Sequence, residues 1–325
     1  MPPPVRRLAW IAAVALGALA LAAPATADNA GLTPVDPKSP NAEAITDTYY
    51  MLLIVTGLVF LAVQGALVVL LVRYRRRRRP VDAEGPQIHG NTQLEVLWTV
   101  VPVLLVAVIV GFVFYKLPDV SAFDEEAIAA PGEADLRVEV LGKQFYWEFR
   151  YPDGRVTYDA LVVPVNRTVE LDVTAPDYDV IHSWWIPALG GKIDAIPGVV
   201  NNTWFRAEEE GVYGGTCGEF CGLQHNAMRA SVRAVAADRF EDEVARFADG
   251  REQFIAACSK CHNVDGPQLI GPSLRGNPLL ADREGLAELL RNGRNQMPPV
   301  GRDWTDEQIA SLIEYTRAIG GEGGG

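Results

Sequence analysis

Only four Cys (Cys217, Cys221, Cys258, Cys261) and four His (His89, His182, His225, His262) occur in 325 residues. Six of these eight fall in two short segments, so the clusters are placed for chemistry and not for packing. No Cys follows the first apolar run of the chain, which excludes a lipid anchor there. Charge is missing altogether from Tyr49 to Val72, and soluble core helices rarely stay apolar for so long. After Pro80 the 20 basic residues are outnumbered by 37 acids, and the formal net charge of the whole chain is −12. An acidic surface of that kind repels nucleic acid and suits a basic protein partner or plain solubility.

The N-terminus has the order of a secretory signal: Arg6 and Arg7, then "LAWIAAVALGALALAA", then a small-residue site ending at Ala27. Residues 1–27 are therefore expected to be a removed signal peptide. Two apolar stretches follow, about 49–72 and 94–115, each long enough to cross a bilayer. Pro102 is expected to kink the second, which membrane helices tolerate where neighbours satisfy the freed carbonyl. Between them "RYRRRRRP" sets six Arg directly after the first span, which places that loop in the cytoplasm. Everything after Tyr115 is then external, in agreement with the signal peptide. The expected location is a bacterial plasma membrane, spanned twice.

From about Leu136 the pattern shortens to β-branched and aromatic runs such as "DLRVEVLGKQFYWEFRYPDG" and "LVVPVNRTVELDVTAPD". Turn signals such as Pro152-Asp153-Gly154 divide them, which predicts an antiparallel β-sandwich. After residue 236 the chain turns helical, with "DRFEDEVARFADGREQFIAAC" and "TDEQIASLIEYTRAI" amphipathic and Thr305 the expected N-cap of the latter. The expected organisation is 28–117 for an N-terminal segment and membrane hairpin, 118–236 for the sandwich and 237–325 for a helical domain. The closing "GGEGGG" carries no fold signal.

Residues 214–230, "GGTCGEFCGLQHNAMRA", gather two Cys, a His, a Met and a Glu. A disulfide between Cys217 and Cys221 suits an external compartment, and Cys with His suits zinc. Neither uses Met228, a thioether that copper accepts. A single-copper His₂Cys site with axial Met could take His182 from "HSWWIP", but leaves one thiolate over. Two thiolates and two imidazoles suit two copper ions.

"HSWWIPALGGKIDAIPG" with "YGGTCGEFCGLQHNAM" and the membrane segment "LEVLWTVVPVLL" closely resembles subunit II of cytochrome c oxidase, over about residues 40–236. The resemblance implies a cupredoxin-like Greek-key sandwich with a dinuclear Cu(A) centre. It implies His182, Cys217, Cys221, His225 and Met228 as side-chain ligands and Glu219 as a ligand through its carbonyl. The Glu219 carboxylate would reach a magnesium or manganese ion at the subunit I boundary. Glu95 aligns with a carboxylate at a proton-uptake entrance, the other reading being an acid held in the headgroup region. Asp194 is expected either in the network beneath the copper or as a turn cap. Relatives often have Gln-Trp-x-Trp where this chain has "QFYW", so Phe145 replaces the Trp through which electrons usually arrive.

"CSKCH", Cys258 to His262, has the spacing for covalent attachment of a c-type haem. As a redox-active Cys pair the motif leaves His262 without a role. Met297 in "NQMPP" lies downstream as the sixth iron ligand, and Met/His ligation raises the potential. "GPSLRG" and the final helix complete a resemblance to all-α class I cytochromes c. His89, in the loop before the second span, is left to an interfacial polar role.

Together the two parts resemble subunit II of a caa3-type oxidase. The resemblance implies electrons passing from a cytochrome c or bc-type complex to the haem, then to Cu(A), then to subunit I, where oxygen is reduced and most protons are pumped. Subunit III is a further expected partner. Fusion makes the haem-copper encounter intramolecular, which accounts for the tolerance of Phe145. A Cu(A)-containing nitric oxide reductase subunit and a copper-delivery protein are the alternatives, the covalent haem arguing against the latter. Nitrous oxide reductase needs a large catalytic domain for which the chain has no room, and quinol-oxidase relatives lack the copper ligands.

Overall fold

A computed structural model describes residues 33–74, 85, 87–120 and 135–321. The expected signal peptide, the arginine run from 75 onward and the last four residues, 322–325, lie outside these residues. Two long helices come first, α1 (Pro40–Arg73) and α2 (Thr92–Val120). Both are apolar around their whole circumference and expose Leu, Val, Ile and Phe along the span, as lipid-facing helices do. Each is longer than its apolar run. The first turn of α1 is set by Ser39 and Pro40, a helix-starting pair, and packs on the β-domain. There the Asn41 amide donates to the Trp204 carbonyl at 2.7 Å, which ties the membrane helix to the external domain. α2 continues through Pro102 and Pro118. Lys116 near its end pairs with Asp47 of α1 at 2.9 Å.

The β-domain has ten strands: β1 (Leu136–Lys143), β2 (Tyr146–Arg150), β3 (Val156–Tyr158), β4 (Ala160–Pro164), β5 (Val169–Thr174), β6 (His182–Trp184), β7 (Ile193–Ala195), β8 (Asn201–Phe205), β9 (Gly211–Thr216) and β10 (Arg229–Val235). One sheet runs β3-β2-β1-β5-β8 and another β4-β10-β9, with β6-β7 a short pair beside them. The sandwich is not wholly antiparallel, because β1 with β5 and β4 with β10 are parallel. Long crossovers between the sheets make these pairings, and hairpin-based reading of the sequence does not foresee them. β5 shows the alternation that buries a sheet face: Val169, Leu171 and Val173 point inward, Glu170, Asp172 and Thr174 less so. They meet Val138, Val140, Phe149, Leu161 and Val232 in one core with Trp147 and Trp184.

The amphipathic stretch after 236 forms two helices, α3 (Phe240–Phe247) and α4 (Gly250–Ala257). Asp249 breaks them: its backbone is extended and its carboxylate caps the Glu252 amide at 2.9 Å. α3 packs on the sandwich, whose core Val244 joins. α4, α5 (Arg283–Asn292) and α6 (Asp306–Gly321) form the helical domain. α5 is capped by Asp282, and Thr305 exchanges two hydrogen bonds with Gln308 as a capping box for α6.

The two domains share a core. Tyr146 and Tyr158 of the sandwich are buried with Phe254, Leu274, Trp304 and Leu312 of the helical domain. Beside them Lys143, almost fully buried, donates to Glu148 at 2.7 Å and to Asp303 of the helical domain at 2.8 Å. Trp304 Nε1 donates to the same Glu148 carboxylate, and Tyr146 Oη to the Val300 carbonyl.

Candidate metal and haem centres

Two loops of the sandwich converge at one end. His182 opens β6, and the loop between β9 and β10 carries Cys217 to Met228 with a 3₁₀ turn at His225–Ala227. The Gly218 amide donates to the Ser183 carbonyl at 2.8 Å, which ties the loop to β6, and the Cys217 amide to the Met228 carbonyl at 3.0 Å, which joins the two ends of the loop. Gly215 is required here, since a Cβ would lie 2.3 Å from the Trp185 carbonyl oxygen.

His182, Cys217 and Cys221 are buried, with their donor atoms all within 4.8 Å of one another. The donors are paired. Cys217 Sγ lies 4.0 Å from His182 Nδ1 and 3.2 Å from the Glu219 carbonyl oxygen. Cys221 Sγ lies 3.6 Å from His225 Nδ1 and 3.8 Å from Met228 Sδ. The donors thus form two contact groups, His182–Cys217–Glu219 and Cys221–His225–Met228, brought together at the two sulfurs. A hydrogen bond from Cys221 draws the Cys217 thiol well below the ordinary range, and the same contact pushes Cys221 up. Burial lowers the His182 pKa, but Asp179, followed by Cys217, outweighs it and holds the ring above the usual imidazole range.

Asp179 was not foreseen. Its Oδ1 stands 3.1 Å from His182 Nε2 and orients the ring so that Nδ1 faces the sulfurs, while its Oδ2 accepts from the Gln144 amide. An acid three residues before the histidine in "DYDVIH" is the available signal. The Glu219 carboxylate is half exposed, 4.0 Å from Lys192, which also reaches Asp194 at 3.8 Å. Asp194 lies within β7 beneath the loop, not at a turn cap. Glu95 is exposed in the first turn of α2 and accepts from the Asn91 amide at 3.2 Å. His89 is exposed in the segment before it.

The helical domain, with Gln144 and Phe145 of the sandwich, lines a cavity of about 540 Å³ whose walls carry Leu side chains and Cys258, Cys261, His262 and Met297. Burial pushes the Cys258 thiol up to about 12 and raises Cys261 too, so both stay neutral in the apolar pocket. His262 Nδ1 lies 2.8 Å from the Pro272 carbonyl, which leaves Nε2 free for a metal. Gly271 has no room for a side chain, since a Cβ would lie 2.3 Å from the imidazole. Met297 sits in a tight turn, exchanging backbone hydrogen bonds with Arg294. A large apolar pocket with two thiols and an imidazole on one wall and a thioether among its lining fits a covalently bound porphyrin.

The fold and its two clusters define a membrane-anchored cupredoxin joined to a cytochrome c-type domain. The family "Cytochrome C oxidase subunit II, periplasmic domain" matches residues 155–235, and "Cytochrome C oxidase subunit II, transmembrane domain" matches 27–117. "Cytochrome C oxidase, cbb3-type, subunit III" matches 245–315. The chain is 32% identical to cytochrome c oxidase subunit 2 of Alkalihalophilus pseudofirmus, over 89% of this chain and 91% of the relative. It is 31% identical to that of a Bacillus species, covering 76% and 80%. A solved periplasmic domain of subunit II from Bradyrhizobium japonicum is 37% identical over 36% of this chain and 95% of its own, with a TM-score of 0.34. The chain belongs to the cytochrome c oxidase subunit II family. Membership implies a Cu(A) centre, a haem c in the fused domain and association with subunit I in a membrane complex.

Proposed function

We propose that the chain is the electron-input subunit of a caa3-type oxidase, taking electrons at its own haem c and delivering them through Cu(A) to subunit I. The observation that carries this is the paired donor set, one imidazole against each of two neighbouring sulfurs. Zinc would use one such set without a thioether at 3.8 Å. A disulfide would leave both imidazoles idle. Bound there, a copper pair shares one electron and changes geometry little on transfer.

In this reading His182, Cys217, Glu219 through its carbonyl, Cys221, His225 and Met228 hold the copper. Asp179 fixes the His182 ring and Gly215 lets the loop approach β6. Cys258 and Cys261 would anchor the haem, and His262, with Nδ1 engaged by Pro272, and Met297 would hold its iron. The copper unit occupies 118–236 and the haem unit 237–325, after a signal peptide at 1–27. Phe220 and Leu223, 78% and 68% exposed beside the copper loop, supply an apolar face for subunit I. Glu219 would add a magnesium or manganese ligand there, and Glu95 a proton-uptake carboxylate. A cytochrome c or bc-type complex is the donor and subunit III a further partner.

Metal and haem analysis of the purified complex tests the assignment. Two coppers in this subunit per covalent haem supports it; zinc, or a single copper, contradicts it.

A further inference from the structure

Lys260 stands inside the haem-attachment motif, between Cys258 and Cys261, yet its side chain leaves the helical domain. Its ammonium donates to the Phe145 carbonyl at 2.8 Å and pairs with the Asp159 carboxylate, both in the sandwich. The pair is well shielded, with Lys260 13% and Asp159 23% exposed. The acceptor is built in advance. Asp159 has a left-handed backbone (φ 54°), and its Oδ1 accepts the Trp147 amide at 2.8 Å. Its own amide donates to the Trp147 carbonyl at 2.9 Å. Only Oδ2 remains, and it faces Lys260.

Gln144 and Phe145, which precede this contact, line the haem cavity. The same Gln144 donates to the Cys221 carbonyl at 2.6 Å. The wall of the haem pocket is therefore also the outer wall of the copper site, and Lys260 pins the attachment motif against it.

We infer that Lys260 is a positioning residue for internal electron transfer, a latch that holds the haem domain docked on the copper domain through Asp159. The inference rests on the two-centre reading above. With the latch closed, the Gln144–Phe145 wall would separate a haem held by Cys258, Cys261 and His262 from copper held at Cys217 and Cys221, so that one electron lost by ferrous haem would be gained by the copper pair across it. The haem flank beside Lys260 is covered by this chain, so an external donor must approach elsewhere. Buried ion pairs with set partners hold one geometry where a flexible tether would sample many.

Full-length subunit in its oxidase complex, as wild type, Lys260→Met, Lys260→Arg and Asp159→Asn, is the material for the test. Two things are measured: haem-to-copper transfer after rapid photoreduction, and hydrogen exchange of the Trp147 amide. Lys260→Met and Asp159→Asn should each slow transfer at least tenfold and speed exchange. Lys260 lines the haem cavity, so removing its charge should lower the haem potential and removing that of Asp159 should raise it; a slowing common to both variants therefore reports distance and not driving force. Lys260→Arg should recover most of the rate. Transfer and exchange at wild-type values in both charge-removing variants would overturn the latch. Asp159→Asn lies outside the attachment motif, so it decides the matter even if Lys260→Met loads haem poorly. A wild type without covalent haem or with fewer than two coppers would instead contradict the functional reading.

Discussion

Gln144 ties the turn between β1 and β2 to the copper loop: its side-chain amide donates to the Cys221 carbonyl at 2.6 Å. The backbone amide of the same glutamine donates to Asp179, the partner of His182. One residue thus braces both sides of the copper loop while lining the haem cavity. Replacing it with Leu removes the donor and leaves a part-buried carbonyl unpaired, at a cost of about 1–3 kcal/mol. Chemical denaturation should show that loss. The copper content should stay at two with altered hyperfine couplings in EPR.

Lys143 and Glu148 predict a larger effect. Glu148 is fully buried and receives Lys143, Arg150 and Trp304. Lys143→Met strips the closest cation from it and should destabilise the chain by about 3–5 kcal/mol, the range for breaking a buried pair. Asp303→Asn, at the 31% exposed edge of the network, should cost clearly less. Unfolding midpoints of the two variants, compared at constant slope, check the order.

Acid should loosen the interface by way of Asp303. Burial raises its pKa, but Lys143 and then Tyr178 more than offset this, and the carboxyl ends below the ordinary range. A depressed folded-state pKa contributes stability fully above the unfolded value, about 3.9, and loses it as pH falls through the lower folded value. Stability should therefore be insensitive to this group near neutrality and decline below about pH 4. Asp303→Asn should flatten that part of the acid denaturation curve; an unchanged curve would exclude Asp303 as its source.

The chemistry-bearing residues were legible because each cluster is local: twelve positions from Cys217 to Met228, five from Cys258 to His262. Only His182 and Met297 arrive from afar, and each is the fitting partner in a chain with few His and Met. The strands carrying the copper loop were legible from alternation. The short β3 and β7 were not, since three residues are too few to show a period. The break at Asp249 was hidden because apolar spacing runs on across it, and only the cap reveals it. Docking was invisible for a different reason. Tyr146, Tyr158 and Trp304 read as ordinary core residues of their own domains, and Lys260 as a spacer within a motif. Their pairing exists only in three dimensions.

Met228 and Met297 separate the two centres experimentally. Met228→Leu should retain both coppers and the covalent haem while shifting the copper EPR spectrum, since Met is the weak ligand of such sites. Met297→Leu should retain the covalent haem, held by Cys258 and Cys261, but lose the low-spin six-coordinate spectrum and leave copper untouched. Optical and EPR spectra of the two variants check this independence.

On the function proposed above, one chain holds a copper pair and a covalent haem as two connected centres. Quantitative copper and haem analysis with EPR on the wild-type complex tests it most directly. The expected result, for this subunit, is two coppers per covalent haem, with hyperfine structure from one electron shared equally by both copper nuclei. A single-copper signal, or zinc in the Cys217–Met228 loop, would contradict it.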